Sequence, residues 1–321
     1  MKLWKIVKYW GYKYFQYTAV LFLRQRNGGF MNQHLVSIVL PVYNGARFLC
    51  QSVDSILSQT YTNFELIIVD DCSTDETPGI IEEYARKDRR VRTILHSQNQ
   101  YLPQALNTGF DAAKGVFFTW TSDDNIYKPN AIKHLVDVLV QRHDVDLVYG
   151  NESIIDDAGH VIEKSNAIAS IGSPEEIPIL SCVGGYFLFR SQVYFDVGGY
   201  ESKWFLVEDW QFWLKSYNAG KKFVRTKDNH YLYRDNTTSL SMTKAREVQE
   251  RCLELSLENL RKHKSKYTNE IAMRAYLKCV GFAYRLNDKK AGIACLDLAQ
   301  EINRDALSWL KPEILEWLEE G

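Results

Sequence analysis

Among the neighbouring acids of this chain of 321 residues, three pairs stand where they could do chemistry: Asp70-Asp71, Asp123-Asp124 and Glu208-Asp209. The first two follow apolar runs, Phe64-Glu65-Leu66-Ile67-Ile68-Val69 and Val116-Phe117-Phe118-Thr119-Trp120. One or two carboxylates can hold a hard divalent cation against a phosphate-bearing ligand. A carboxylate also accepts hydrogen bonds from a ligand's N–H or O–H groups. The third pair opens a helical stretch, and a helix N-terminus favours the ionised acid, the form that takes a proton from a hydroxyl. Each pair also has a plainer use. Asp commonly starts the turn after a strand, and acids in a first helical turn offset the helix dipole. Two Asp pairs at two strand ends are a rarer coincidence than one.

The elements that must position these acids are read from periodicity. Strands are expected over 36–40 (closed by Pro41), 64–69, 91–95, 116–120 and 145–149, alternating with helices over 47–59, 78–87, 103–113 and 130–140. This alternation implies an α/β fold, a mostly parallel sheet sandwiched by helices. Ligands of open sheets of this kind bind beyond the carboxyl ends of the strands. The stretch 150–234 reads as less regular, with a hairpin turn at Asp156-Asp157-Ala158-Gly159 and a helix over 207–218. From 244 onward the pattern is helical, in hairpins that cap the main domain or, as the other use of such hairpins, bind a partner. The expected division is a basic aromatic helix over 1–33, an α/β domain over 34–240 and a helical extension over 241–321.

Taken in order, the motifs over 36–234 resemble a family 2 glycosyltransferase of the inverting GT-A fold. Leu40-Pro41-Val42-Tyr43-Asn44-Gly45 is similar to the family's opening strand and loop. Ser55 to Tyr61 followed by Phe64 to Thr77 is similar to its nucleotide-binding block. Asn107, Gly109, Ala113 and Gly115 follow the spacing that leads into the metal-binding strand, and Gly198-Gly199-Tyr200 followed by Glu208-Asp209 resembles the acceptor-side motif. The resemblance implies that Pro41, Tyr43 and Asn44 line a nucleoside pocket and that Asp71 contacts the base. It implies that Asp123 lies near the ribose and diphosphate, and that Asp124, with Asp123, holds Mn²⁺ or Mg²⁺. Asp209 is then the general base, with Glu208 the second choice. Arg234 either binds the diphosphate or forms a surface salt bridge. The implied partners are a nucleotide-sugar donor, with a UDP- or dTDP-sugar favoured, and a glycan or lipid-linked glycan acceptor of bacterial surface polysaccharide assembly.

The chain departs from the family pattern at Thr121, where many members carry a further Asp; this leaves the metal site with fewer carboxylates. The Gln-x-x-Arg-Trp motif of processive synthases is missing, which points to addition of one or a few sugars. A nucleotidyltransferase would carry a Gly-rich basic loop after the first strand, and Pro41-Val42-Tyr43-Asn44-Gly45-Ala46-Arg47 is a poor match. An inactive glycan-binding or scaffold protein would not need Asp71, Asp123, Asp124 and Asp209 together.

A net charge of −1 gives no general case for nucleic-acid binding. Local charge is more informative. Residues 1–34 carry Lys2, Lys5, Lys8, Lys13, Arg24 and Arg26, no carboxylate and many aromatics. That suits a helix on an anionic membrane through residues 1–30, or equally one packed on the domain. No apolar run reaches the roughly 20 residues of a spanning helix. Six cysteines without a C-x-x-C pair read as reduced thiols. The expected location is therefore the cytoplasm, peripheral on the inner face of the cell membrane if the first helix is interfacial.

Overall fold

The computed structural model describes residues 34–162, 172–236 and 239–319. The basic segment 1–33, with its expected membrane contact, lies outside the described residues.

The strands expected at the start of the α/β region are present as β1 (Val36–Val42), β2 (Phe64–Asp70), β3 (Val91–Leu95) and β4 (Phe117–Trp120). β1 and β2 are buried along their whole length, as strands covered by helices on both faces must be. The intervening helices are α1 (Ala46–Leu57), α2 (Thr77–Lys87) and α3 (Tyr101–Ala112). β5 (Ile126–Tyr127) and α4 (Ala131–Gln141) follow, then β6 (Leu147–Ile155), β7 (Phe187–Arg190), α5 (Ser191–Val197), α6 (Glu208–Asn218) and β8 (Phe223–Arg234).

All eight of these strands form one sheet in the order β3-β2-β1-β4-β7-β6-β8-β5. β1 pairs in parallel with β2 and β4, β2 with β3, and β6 with β8. β7 runs antiparallel between β4 and β6, and β5 antiparallel to β8. The irregular stretch of the sequence thus completes the sheet. β7 is too short for a periodic signal, and β8 (Phe-Val-Arg-Thr-Lys-Asp-Asn-His-Tyr-Leu-Tyr-Arg) mixes charge into its middle. The hairpin turn is present: Asp156 N–H donates to the His160 carbonyl, and Gly159 takes a φ of 88°.

The C-terminal part is helical: α7 (Leu240–Thr243), α8 (Ala245–His263), α9 (Asn269–Leu286), α10 (Lys289–Ile302) and α11 (Pro312–Glu319). One apolar core runs from Val39 and Ile67 on the sheet, through Phe189, Trp210 and Trp213, to Phe282 and Ala299 of these helices. Trp210 and Phe282 rings meet at 6.2 Å. A second core, around Ile38, Leu49 and Leu135, fills the other face of the sheet.

The α3–β1 contact has no room to spare. A Cβ added at Gly109 would stand 2.4 Å from Val39 Cγ1. Overpacking of this kind costs about 1–3 kcal/mol. Gly109→Ala is therefore expected to lower the thermal midpoint, as read by circular dichroism; an unchanged midpoint would show that α3 slides freely on β1.

Candidate active site

The loops after β1 and β2 are built as one unit. Asn44 adopts a φ of 53°, a conformation Asn tolerates better than most residues. Its N–H donates to Ser73 Oγ (2.9 Å), and its Oδ1 accepts from Thr74 N–H (2.8 Å). Gly45 N–H donates to Thr77 Oγ1 (3.1 Å) and Ala46 N–H to Asp75 Oδ2 (3.2 Å). Burial opposes ionisation of Asp75, but bonds from Thr77 and Ala46 outweigh it and hold the acid below its ordinary range. Tyr43 projects from this loop, half exposed, while Pro41 is buried within β1 opposite Val69. Asp70 accepts from the backbone and hydroxyl of Ser73. Asp71 is 4% exposed, and its Oδ1 meets His96 Nδ1 (2.7 Å) and Gln100 N–H (2.8 Å).

Asp123 reaches into this loop from the end of β4. A Cβ on Gly45 would stand 1.7 Å from Asp123 Oδ2, so only glycine lets the carboxylate come this close to the backbone. Burial first, and then the neighbouring Asp124 and Asp75, push Asp123 up to about 7. Burial likewise raises Asp124, against hydrogen bonds from Ser122 and Asn236 and the charge of Arg234. Oxygen ligands that repel one another suit a hard divalent cation, which neutralises them. Thr121, at the position of the missing acid, is buried and shares a 2.7 Å hydrogen bond with Tyr231 OH.

Arg234 does not take the surface setting, one of the two expected from the sequence. It is 1% exposed, which rules out a surface salt bridge. Its guanidinium donates to the carbonyls of Asp124 (2.9 Å), Asp156 (2.7 Å) and Asp157 (2.8 Å) and to Gln51 Oε1 (2.8 Å). It also lies 4.3 Å from the centre of the Phe48 ring. With its donors turned onto protein oxygens, Arg234 positions the Asp124 loop.

The third acid pair stands at the start of α6 in two different surroundings. Glu208 is buried, and its Oε2 accepts from Leu206 N–H (2.8 Å). Burial and the adjacent Asp209 push it up to about 8. Asp209 is half-buried; its Oδ1 accepts from its neighbour's N–H at Trp210 (2.6 Å) and its Oδ2 from Ser181 Oγ (3.3 Å). Burial raises Asp209 too, opposed by these bonds.

Tyr200 connects this pair to the sheet. Its hydroxyl accepts from Trp120 Nε1 on β4 (3.0 Å), its backbone exchanges two bonds with the Asn107 amide on α3 (2.8 and 2.9 Å), and its ring stacks on Phe212 of α6 at 4.6 Å. Tyr101 and Phe205 touch at 5.0 Å between centroids. Tyr101 (φ 67°) and Leu206 (φ 82°) both hold left-handed backbone there. Sequence reading missed the roles of Gly45, Tyr200 and Asn107. It also missed a group that the fold assembles away from these acids, His134, Asp228 and His230, whose ligand atoms lie within 4.8 Å of one another.

Comparison with known proteins agrees with this architecture. A protein of Rickettsia felis named an uncharacterized glycosyltransferase is 33% identical over 190 residues, 56% of this chain and 31% of that protein. The glycosyltransferase GlyG of Streptococcus pneumoniae is 43% identical over 118 residues, 36% of this chain and 38% of that protein. The match thus spans well under half the length of these relatives. Among solved structures, S. aureus TarS 1–349 superposes with a TM-score of 0.64 at 18% identity, over 88% of this chain and 86% of that one. The mannosyltransferase PcManGT of Pyrobaculum calidifontis, solved with GDP-Man and Mn²⁺, gives 0.61 at 16% identity, over 98% and 92%. These likenesses establish the GT-A type of fold. Residues 37–200 match the model of Glycosyl transferase family 2, and with half of its length matched the chain belongs to that family of glycosyltransferases.

Proposed function

We propose that the chain transfers a sugar from a nucleotide-sugar to a hydroxyl of a glycan acceptor with inversion at the anomeric carbon. The carrying observation is two carboxylate pairs in different surroundings. Asp123 and Asp124 crowd against the loop after β1. Glu208 and Asp209 open α6, one buried and the other half-buried. The family resemblance supports a UDP- or dTDP-sugar, and the basic aromatic N-terminal segment favours a lipid-linked glycan as acceptor.

In this reading Asp124, with Asp123 beside it, would hold Mn²⁺ or Mg²⁺, which when bound neutralises charge on the departing nucleoside diphosphate. Tyr43 and Asn44 flank the nucleoside, and Asp71 fixes the segment 96–100 that borders it. Glu208 stays protonated near neutral pH, so the negative charge of the second pair settles on Asp209. Asp209 takes the proton of the acceptor hydroxyl. That oxygen bonds to the anomeric carbon as the bond to the diphosphate oxygen breaks on the opposite face.

Calorimetry with UDP, dTDP and GDP, each with and without Mn²⁺, tests the donor site. One nucleotide should bind tightly and only with the metal, and Asp124→Ala should abolish the metal-dependent part. Gly45→Ala should weaken it as well, because the added methyl displaces Asp123. A folded protein that binds none of the nucleotides would be a scaffold on this fold. Asp209→Asn should lower kcat by about 10²–10⁴-fold, the usual contribution of a general base, with nucleotide affinity unchanged; near-normal turnover would move the base elsewhere.

The active form of Asp209 is ionised, and burial raises its pKa. The rate should therefore climb with pH through a value above the ordinary aspartate pKa of about 3.9. An acidic limb at or below that value would remove Asp209 from the role.

A further inference from the structure

We infer that the chain carries a second metal site, for Zn²⁺ or a similar borderline transition metal, formed by His134, Asp228 and His230. His134 sits on α4, and Asp228 and His230 on β8. His134 Nε2 lies 3.0 Å from Asp228 Oδ2, and the His134 and His230 rings are 5.3 Å apart. His134 Nε2 is buried and makes no hydrogen bond of proper geometry, although an acceptor stands beside it. This pair stands at ion-pair distance, close to the spacing of two ligands of one ion, and the ligand atoms of all three residues lie within 4.8 Å of one another. Bonds of about 2.0–2.1 Å in a tetrahedral shell put neighbouring ligand atoms roughly 3.3 Å apart.

The backbone supports the same reading. β8 pairs with β6 through two register shifts, between Tyr149 and Asn151 and between Asn151 and Glu152, and these fall where β8 carries residues 225–231. Extra residues in one strand re-aim side chains, and such bulges concentrate near functional sites. Asn229, between the two ligands, is tied elsewhere: its Nδ2 donates to Ser153 Oγ (2.8 Å), and its carbonyl accepts from Lys128 Nζ (3.0 Å). Asp228 is exposed and His230 half-buried, which leaves the cluster open to an entering ion.

The donor set separates this site from the acids at the end of β4. Two imidazoles and one carboxylate select Zn²⁺, Co²⁺ or Ni²⁺, whereas oxygen-only ligands select Mg²⁺ or Mn²⁺. His230 and Arg234 are four residues apart on β8, about 13 Å at the rise of a strand. The metal would fasten α4 to the strand whose end holds the Asp124 loop.

The test uses the full chain, stripped with a chelator and titrated with Co²⁺ and Zn²⁺. Wild type and Asp124→Ala should both bind Co²⁺ with the intense visible bands of a tetrahedral ion, displaced by one equivalent of Zn²⁺. His134→Gln and His230→Gln should each weaken Zn²⁺ by about tenfold or more, since a three-ligand set drops to two. Zn²⁺ should also raise the thermal midpoint of wild type but not of these variants. If His134→Gln does not fold, His230→Gln and Asp228→Asn decide the matter. Equal Zn²⁺ affinity in wild type and the histidine variants overturns the proposal. So does Zn²⁺ binding that disappears in Asp124→Ala, which would place the ion at the carboxylate pair.

Discussion

One buried guanidinium holds the loops around Asp123 and Asp124 together. Arg234 brings the carbonyl of Asp124, the carbonyls of the Asp156-Asp157 turn and the Gln51 amide to a single point, over the face of Phe48. These groups come from the loop after β4, the turn after β6, α1 and the end of β8. A charge so deeply buried is tolerated because it makes four hydrogen bonds to protein oxygens and faces the charge of Asp124. Leaving such a charge without its partners costs about 3–5 kcal/mol. Lysine could not replace it, because an ammonium lacks the planar fork that reaches several carbonyls at once.

The acid pairs share a design. In the pairs at β4 and α6, burial and the neighbouring acid drive one member, Asp123 or Glu208, toward the neutral form. At β4 the crowding of Asp123 against Gly45 creates a repulsion that a cation relieves. At α6 the burial of Glu208 concentrates charge on the more accessible Asp209. Tyr200 and Asn107 tie the two places to a common frame, so that the distance between the two acid pairs is set by β4, α3 and α6 and not by loops alone.

Much of this was legible in the sequence. Continuous apolar runs gave β1 to β4, and the acids that follow two of the runs do stand at the carboxyl ends of β2 and β4. The C-terminal strands were harder to see. β7 is four residues long, and β8 alternates poorly because its middle is bulged and polar. Arg234 was recognised as important, but the surface position allowed for it is wrong, since nothing local distinguishes a buried arginine from an exposed one. His134 and His230 belong to different elements far apart in the chain, so no spacing rule could join them. Gly45 entered only as the last residue of the opening strand-and-loop motif; its contact with Asp123 shows that what matters is the missing side chain.

Tyr101 and Leu206 hold backbone conformations that side-chain-bearing residues avoid, at a cost on the order of 1–3 kcal/mol each. They lie at the contact between Tyr101 and Phe205, one next to the segment that Asp71 fixes and the other next to α6. The seam between the two halves of the site is thus under tension in the resting protein. Selection for heat resistance alone would relax these two positions early, and the enzyme that emerged would be sturdier but less well poised.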